Sequence, residues 1–219
     1  MKDATTGQKT QGQTTRWWWV RHAPVLNVEG IIYGSDDVAC DTTDRNSFEG
    51  LASILPGDAL WLTSHLSRTH RTAGAIRDAG LEYPAPIVEE HLGEQCFGDW
   101  QGQSWDEMQK NDPAVYEAFW ETPARNSPPG GESFQDLIAR AGAVIDRHTS
   151  GNRGRDIVAV AHGGTIRAAI SHGLGLTPET GMSFSIGTLS ITCLEHVEGG
   201  LLKGKGSAWR VVYINRSPK

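Results

Sequence analysis

A chain of 219 residues, 38% of them apolar, has material for one sizeable core or two small ones, and one domain is expected. A formal charge of −6 argues against a general nucleic-acid binder, although a local cationic pocket can sit inside an acidic protein. Cys40, Cys96 and Cys193 are odd in number, widely separated and without CxxC spacing, and no apolar run approaches the ~20 residues that span a bilayer. A cytoplasmic protein with neither a disulfide frame nor a zinc site is expected.

Residues 1–15, MKDATTGQKTQGQTT, lack the apolar centre of a secretion signal and read as a disordered polar tail, leaving 16–219 as the folded unit. Trp17 to Val20 is a short apolar run of the kind expected in a strand covered on both faces, and it delivers Arg21 and His22 at its end. SFEGLASIL at 47–55 reads as a helix, ALWLTS at 59–64 as a second strand, and SRTHRTAGAIRDAG at 67–80 as a helix stopped by Gly80. The next helix is expected to begin near Gly131 or Glu132, with Phe134, Leu137, Ile138, Ala141, Val144 and Ile145 on one face. DIVAVAH at 156–162 is a third buried strand, and GTIRAAISHGLG at 164–175 is a helix opening and closing on glycines. LSITCLEHV and AWRVVYIN form a C-terminal strand pair joined by GGLLKGKGS. Strands alternating with helices indicate a three-layer α/β/α fold with a largely parallel central sheet.

In such sheets ligands bind beyond the carboxyl ends of the strands. Arg21, His22 and His162 stand there, Gly163 and Gly164 open a helix whose amides can face an anion, and Arg68 lies in the first turn of the helix after the second strand. A lone histidine at a strand end is ordinarily structural. Two of them, with arginines and a glycine turn nearby, point to a shared site. The three tryptophans read as scaffold.

RHA at 21–23, SHLSRTHRTA at 64–73, LGEQCFGDWQG at 92–102, PPGGESF at 128–134 and VAVAHGG at 158–164, in that order, resemble the signature of the histidine phosphatase superfamily, phosphoglycerate-mutase-like branch. The resemblance runs from about Trp17 to Asn215 and implies a phosphoglycerate-mutase-like fold. It implies that His22 is a nucleophile forming a phosphohistidine, that Arg21, Arg68, His162 and Gly163 hold the phosphate, and that Glu94 protonates the leaving alcohol and then activates water. Asp99 reads as structural, Cys96 as a partnerless buried cysteine, and Asp36 and Asp37 as a solvated loop in preference to a substrate contact. Ala23, Pro24 and Val25 depart from the family's usual glycine, acidic or amide residue, and threonine; Asn27 is a candidate replacement donor, and Arg125 a candidate for a second anionic group or an exposed loop arginine.

The short segment WETPARNSPPGGESF looks like small phosphatases, including the α-ribazole phosphatase type, more than like the cofactor-dependent mutases. The expected activity is that of a phosphoric monoester hydrolase acting on a small phosphorylated metabolite, without metal or cofactor. The partner is a small-molecule phosphate monoester, with no nucleic acid or membrane, and a homodimer is left open. Two alternatives stand beside it: a phosphoglycerate-mutase-type phosphotransferase, and a non-catalytic phosphate-binding interaction module. The second would be expected to lack one of His22, Arg68, Glu94 or His162, all of which are present.

Overall fold

The first strand, β1 (Thr14–Arg21), sends alternate side chains to opposite faces, and both faces are covered. The computed structural model, which describes residues 13–26, 29–202 and 208–219, places β1 inside a six-stranded sheet. The other strands are β2 (Leu60–Thr63), β3 (Ile87–Val88), β4 (Asp156–Ala161), β5 (Ile191–Val197) and β6 (Trp209–Arg216), in the spatial order β3-β2-β4-β1-β5-β6. The first four strands of that order run parallel; β5 is antiparallel to β1 and to β6, so the C-terminal pair closes one margin of a largely parallel sheet.

The described residues form seven α-helices: α1 (Arg45–Ile54), α2 (Ser67–Asp78), α3 (Trp105–Asn111), α4 (Pro113–Glu121), α5 (Phe134–Gly151), α6 (Gly163–Leu174) and α7 (Pro178–Gly181). Phe48 and Leu51 of α1 and Ala73 and Ile76 of α2 pack with Val20, Trp61, Val158 and Val160 on one face of the sheet. On the other face, Leu137, Ala141 and Ile145 of α5 and Ile166 and Ile170 of α6 pack with Trp17, Trp19, Ile157 and Ala159. This alternation makes the three layers. Trp17 and Trp19 stack with ring centroids 5.0 Å apart, and the Trp17 indole N–H donates to Thr149 Oγ1 of α5 at 3.0 Å. A large apolar surface is thereby removed from water without leaving that indole donor unpaired.

β1 begins at Thr14, two residues inside the stretch read as a tail, because Thr14 and Thr15 pair with Val197 and His196 of β5. Helix α5 starts at Phe134, later than Gly131 or Glu132, because Ser133 caps it. The Ser133 hydroxyl accepts from Asp136 N–H at 3.1 Å, while the Asp136 carboxylate accepts from Ser133 N–H at 3.0 Å. Glu132 is left outside the helix. α3 and α4 were not anticipated, since seven and nine residues span too few turns for a hydrophobic period to register. They fold over Trp100, with Met108 and Phe119 buried beside it and Phe97, Trp105 and Tyr116 packed around them. Among the described residues no helix is long and apolar enough to cross a membrane.

The capping box of α5 supports a direct test. Ser133→Ala leaves the Asp136 N–H without its acceptor and is expected to cost about 1 kcal/mol, within a range of roughly 0.5–2 kcal/mol. Urea unfolding should show a lower midpoint with an unchanged slope.

Candidate active site

β1 and β4 pair in the register Arg21↔Ala161, so the residues that follow, His22 and His162, leave the sheet side by side. His22 N–H continues the ladder onto the Ala161 carbonyl at 2.9 Å, and the two imidazole centroids stand 5.1 Å apart. β2 ends in the register Thr63↔Val160, which brings the next residue, Ser64, to His162: its Oγ lies 2.8 Å from Nε2. Both imidazoles are fully buried.

The protonation of His22 follows from its partner. Nδ1 lies 2.7 Å from the Ala23 carbonyl oxygen, and a carbonyl can only accept, so Nδ1 carries the proton and Nε2 the lone pair. Nε2 is buried and has no hydrogen-bond partner. Burial lowers the His22 pKa to about 3, and the charges of Arg68 and Arg21 push the same way against the opposing Ala23 bond. His22 is therefore neutral at pH 7. His162 is likewise held well below its ordinary value by burial, then by His22 and Arg68. Its Nδ1 accepts from Arg68 Nε at 3.2 Å, so its proton is on Nε2, facing Ser64.

Arg68 is fully buried in the first turn of α2. Its Nη1 and Nη2 donate to the carbonyls of Asp36 and Gly34 at 2.6 and 2.8 Å, and its guanidinium carbon lies 5.3 Å from the Tyr33 ring centre. Burial lowers its pKa, opposed by the charge of Glu94. Gln101 secures the loop that supplies those carbonyls: Oε1 accepts from Ser35 N–H at 3.0 Å, and Nε2 donates to Asp36 Oδ1 at 2.5 Å. Gly34 has φ +39°, and a Cβ there would fall 2.6 Å from Gln101 Oε1. Only glycine fits. Arg21 donates from Nη1 to the Ile186 carbonyl at 2.5 Å, while its Nε is buried and unpaired. One side of its fork is thus uncommitted, a geometry that suits two oxygens of one anion.

Glu94, in the loop that follows Leu92, sets its carboxylate against the first turn of α6. Its Oε2 accepts from Gly164 N–H at 3.2 Å and its Oε1 from Gln95 N–H at 3.0 Å. A Cβ at Gly164 would lie 2.4 Å from Oε1, so any side chain there would displace the Glu94 carboxylate. Glu94, Gly164, Tyr33, Phe97 and Arg167 line a cleft of about 190 Å³. Gly163 faces the Arg21 guanidinium, and a Cβ there would meet its central carbon at 3.4 Å. Among the described residues no three His, Cys, Asp or Glu side chains converge to hold a metal ion.

The other predicted residues fall elsewhere. Arg125 is bound to Glu179 through Nε at 2.6 Å and to Gln135 through Nη1 at 2.7 Å and does not line the cleft, so its charge is already matched at the surface. Asn27 lies outside the described residues. Asp36 and Asp37 are not merely solvated: Asp37 Oδ1 accepts from Ser67 N–H at 2.8 Å at the start of α2, and Asp36 supports Arg68. Asp99 uses its backbone, donating to Pro129 and accepting from Gln103, and Cys96 is partly buried. Ala23 is fully buried with φ outside the left-handed region, so alanine satisfies a position where glycine's freedom is not needed; its N–H donates to Thr72 Oγ1 at 2.9 Å.

Ser64 and Arg167 were missed from the sequence. Arg167 had a usable signal, since it follows Gly163 by four residues and so shares its face of α6. Its Nε donates to the Phe184 carbonyl at 2.7 Å, and burial lowers its pKa against the pull of Glu94.

The buried neutral histidine makes stability depend on pH with a definite sign. An unfolded His22 takes up a proton near its ordinary value of 6.5, whereas the folded one resists to about 3. Stability is therefore lost as pH falls through that window, at up to about 1.4 kcal/mol per pH unit from this group. Urea midpoints measured from neutral pH down into the window should fall less steeply for His22→Gln than for the wild type.

Comparison with known proteins agrees with this geometry. Residues 17–204 match the family model described as histidine phosphatase superfamily (branch 1). The adenosylcobalamin/alpha-ribazole phosphatase of Escherichia coli K12 is 26% identical over 174 residues, covering 78% of this chain and 85% of that protein. A 2,3-bisphosphoglycerate-dependent phosphoglycerate mutase of Mesorhizobium japonicum is 33% identical over 179 residues, covering 77% and 86%. The solved structure of a mycobacterial glucosyl-3-phosphoglycerate phosphatase superposes with a TM-score of 0.78 at 26% identity, over 94% of this chain and 100% of that one. With two histidines, two arginines and a carboxylate gathered near the strand ends, and a family match over residues 17–204 that takes in β2 to β5 and most of β1, the chain belongs to branch 1 of the histidine phosphatase superfamily.

Proposed function

We propose that this protein is a metal-independent phosphomonoesterase that hydrolyses a small phosphorylated metabolite through a phosphohistidine on His22. The observation that carries the reading is the state of His22: neutral, protonated on Nδ1 by its bond to the Ala23 carbonyl, with a buried and unpartnered Nε2 lone pair. The phosphatases among its relatives support hydrolysis. The three free cysteines are consistent with a reducing cytoplasm.

The chemistry runs in two displacements. The Nε2 lone pair attacks phosphorus, the ester P–O bond breaks, and the departing oxygen takes a proton from the Glu94 carboxyl group. Arg21, through its unpaired edge, and Arg68, through the N–H groups its carbonyl partners leave free, bind the phosphoryl oxygens and offset their charge. His162 joins the cradle when its Nε2–H exchanges Ser64 Oγ for a phosphoryl oxygen, and the Gly163 amide completes it. Water then attacks phosphorus as Glu94 takes its proton, the P–N bond breaks, and the electron pair returns to Nε2. Inorganic phosphate leaves.

The mutase relatives favour a second reading, transfer between phosphoglycerates. Added 2,3-bisphosphoglycerate that sustains interconversion of 2- and 3-phosphoglycerate would select it over hydrolysis.

His22→Ala is expected to reduce turnover to background while the far-ultraviolet spectrum stays native. Rapid quenching with labelled substrate should trap an acid-labile, alkali-stable phosphoenzyme on the wild type alone; label on serine or cysteine would refute the assignment. EDTA should leave activity unchanged, and vanadate should inhibit as a mimic of the five-coordinate transition state. Activity lost in EDTA and restored by a divalent cation would count against the mechanism.

Glu94→Gln should slow phosphohistidine formation from alkyl phosphates by about 10²–10⁴-fold, because an alkoxide cannot depart unprotonated. p-Nitrophenyl phosphate, whose leaving group is stable as an anion, should be affected much less in the same pre-steady-state step. Equal slowing of both esters would show that Glu94 is not the acid.

A further inference from the structure

We infer that Arg140, paired with Glu132, is a positioning residue that holds the Glu94 carboxyl where it can transfer a proton; the inference rests on the reading of Glu94 as the acid. Arg140 lies in the second turn of α5. Its five N–H donors are all engaged. Nε donates to Glu132 Oε2 at 2.9 Å, and Nη2 to Glu132 Oε1 at 2.6 Å and to the Glu94 carbonyl at 3.0 Å. Nη1 donates to the carbonyls of His91 and Gly93 at 2.8 and 3.0 Å. One planar group thus binds three carbonyls of a four-residue segment that ends at Glu94.

Glu132 grips the other side of the same residue. Its Oε1 accepts from Cys96 N–H at 3.0 Å, its carbonyl accepts from Gln95 Nε2 at 3.0 Å, and its own N–H donates to the Cys96 carbonyl at 2.9 Å. From α6, Thr165 Oγ1 donates to the Gly93 carbonyl at 2.8 Å, next to the Gly164 N–H that holds the carboxylate. The backbone is therefore held before and after Glu94 by contacts that reach no donor or acceptor of His22, Arg21 or Arg68. Both members of the ion pair are about four-fifths buried, with all five Arg140 donors engaged and the Glu132 carboxylate accepting three hydrogen bonds. A lysine cannot reproduce this, because an ammonium is a point charge with three donors and no fork.

A device of this kind acts on proton transfer, since general-acid efficiency depends on sub-ångström placement; the Arg140 charge is also felt at His162, and Arg140→Lys keeps that charge while removing the fork. Arg140→Lys and Glu132→Gln are each made alone and with Glu94→Gln. Phosphohistidine formation is followed by rapid quench with glycerol 2-phosphate and with p-nitrophenyl phosphate, and vanadate inhibition is measured alongside. Arg140→Lys and Glu132→Gln should each slow the alkyl ester by about 10- to 100-fold, with little change for the aryl ester or for vanadate. In the Glu94→Gln background neither should add a further alkyl-specific loss, because both act through the group already removed.

Equal slowing of the two esters, weaker vanadate inhibition, or an additive loss in the Glu94→Gln background would overturn the inference. If Arg140→Lys fails to fold, Glu132→Gln decides by the same ratio; if both fail, the pair serves stability and the positioning role is lost. A Glu94→Gln variant that leaves the alkyl-to-aryl ratio unchanged sinks the reading of Glu94 itself. A Glu94→Gln variant that shifts the ratio while Arg140→Lys and Glu132→Gln do not sinks only the clamp.

Discussion

The parallel pairing of β1 with β4, in the register Arg21↔Ala161, is the constraint on which the site depends. It sets His22 beside His162, and a slip of one residue would separate them and send every side chain of β1 to the wrong face. The register is enforced by burial. Trp17 and Trp19 must face the α5 and α6 layer while Val20 faces α1 and α2, and β4 answers with Ile157 and Ala159 on the first side and Val158 and Val160 on the second. Three tryptophans in a row are thus an anchor, and the residues after them inherit its rigidity.

At the end of that anchor the protein gathers positive charge where water is scarce. A buried cation is costly unless it is solvated by something else. Here backbone carbonyls do so: Gly34 and Asp36 for Arg68, Ile186 for Arg21, Phe184 for Arg167. A carbonyl stabilises a guanidinium by its dipole without cancelling the formal charge, so the field remains available to an incoming anion. The same field, added to burial, keeps both histidines neutral. The arrangement that concentrates positive charge here is thus also the one that leaves the His22 Nε2 lone pair unprotonated.

The loops that complete the site are held by side chains from other segments. Gln101 ties the Gly34–Asp36 loop under Arg68, Asp37 caps α2, and Arg140 with Glu132 binds the backbone around Glu94. Gln101 and Glu132 lie inside stretches that carry the family resemblance, whereas Asp37 and Arg140 lie outside them. LGEQCFGDWQG contains both Glu94 and Gln101, and PPGGESF contains both Glu132 and the Ser133 cap of α5. The motifs are therefore mutually dependent, because each supplies contacts that place another.

By itself the sequence determined the three-layer class, the buried strands, and the residues delivered at their ends, because periodicity, strand length and glycine turns are local properties that need no knowledge of packing. Arg21, His22, Arg68 and His162 were legible for that reason. Glu94 was legible through the resemblance of its motif rather than through any local period. What only the tertiary structure decided are contacts between distant segments: Ser64 reaches His162 across 98 residues, and Arg140 reaches the Glu94 carbonyl across 46. Arg125 shows the converse, since nothing near it in the chain announces Glu179, 54 residues on, which takes up its charge. A guanidinium on a helix face looks alike in sequence whether it meets solvent, an acid or three carbonyls, and the difference arises only when α5 packs against the sheet and brings residues 91–94 within reach of Arg140.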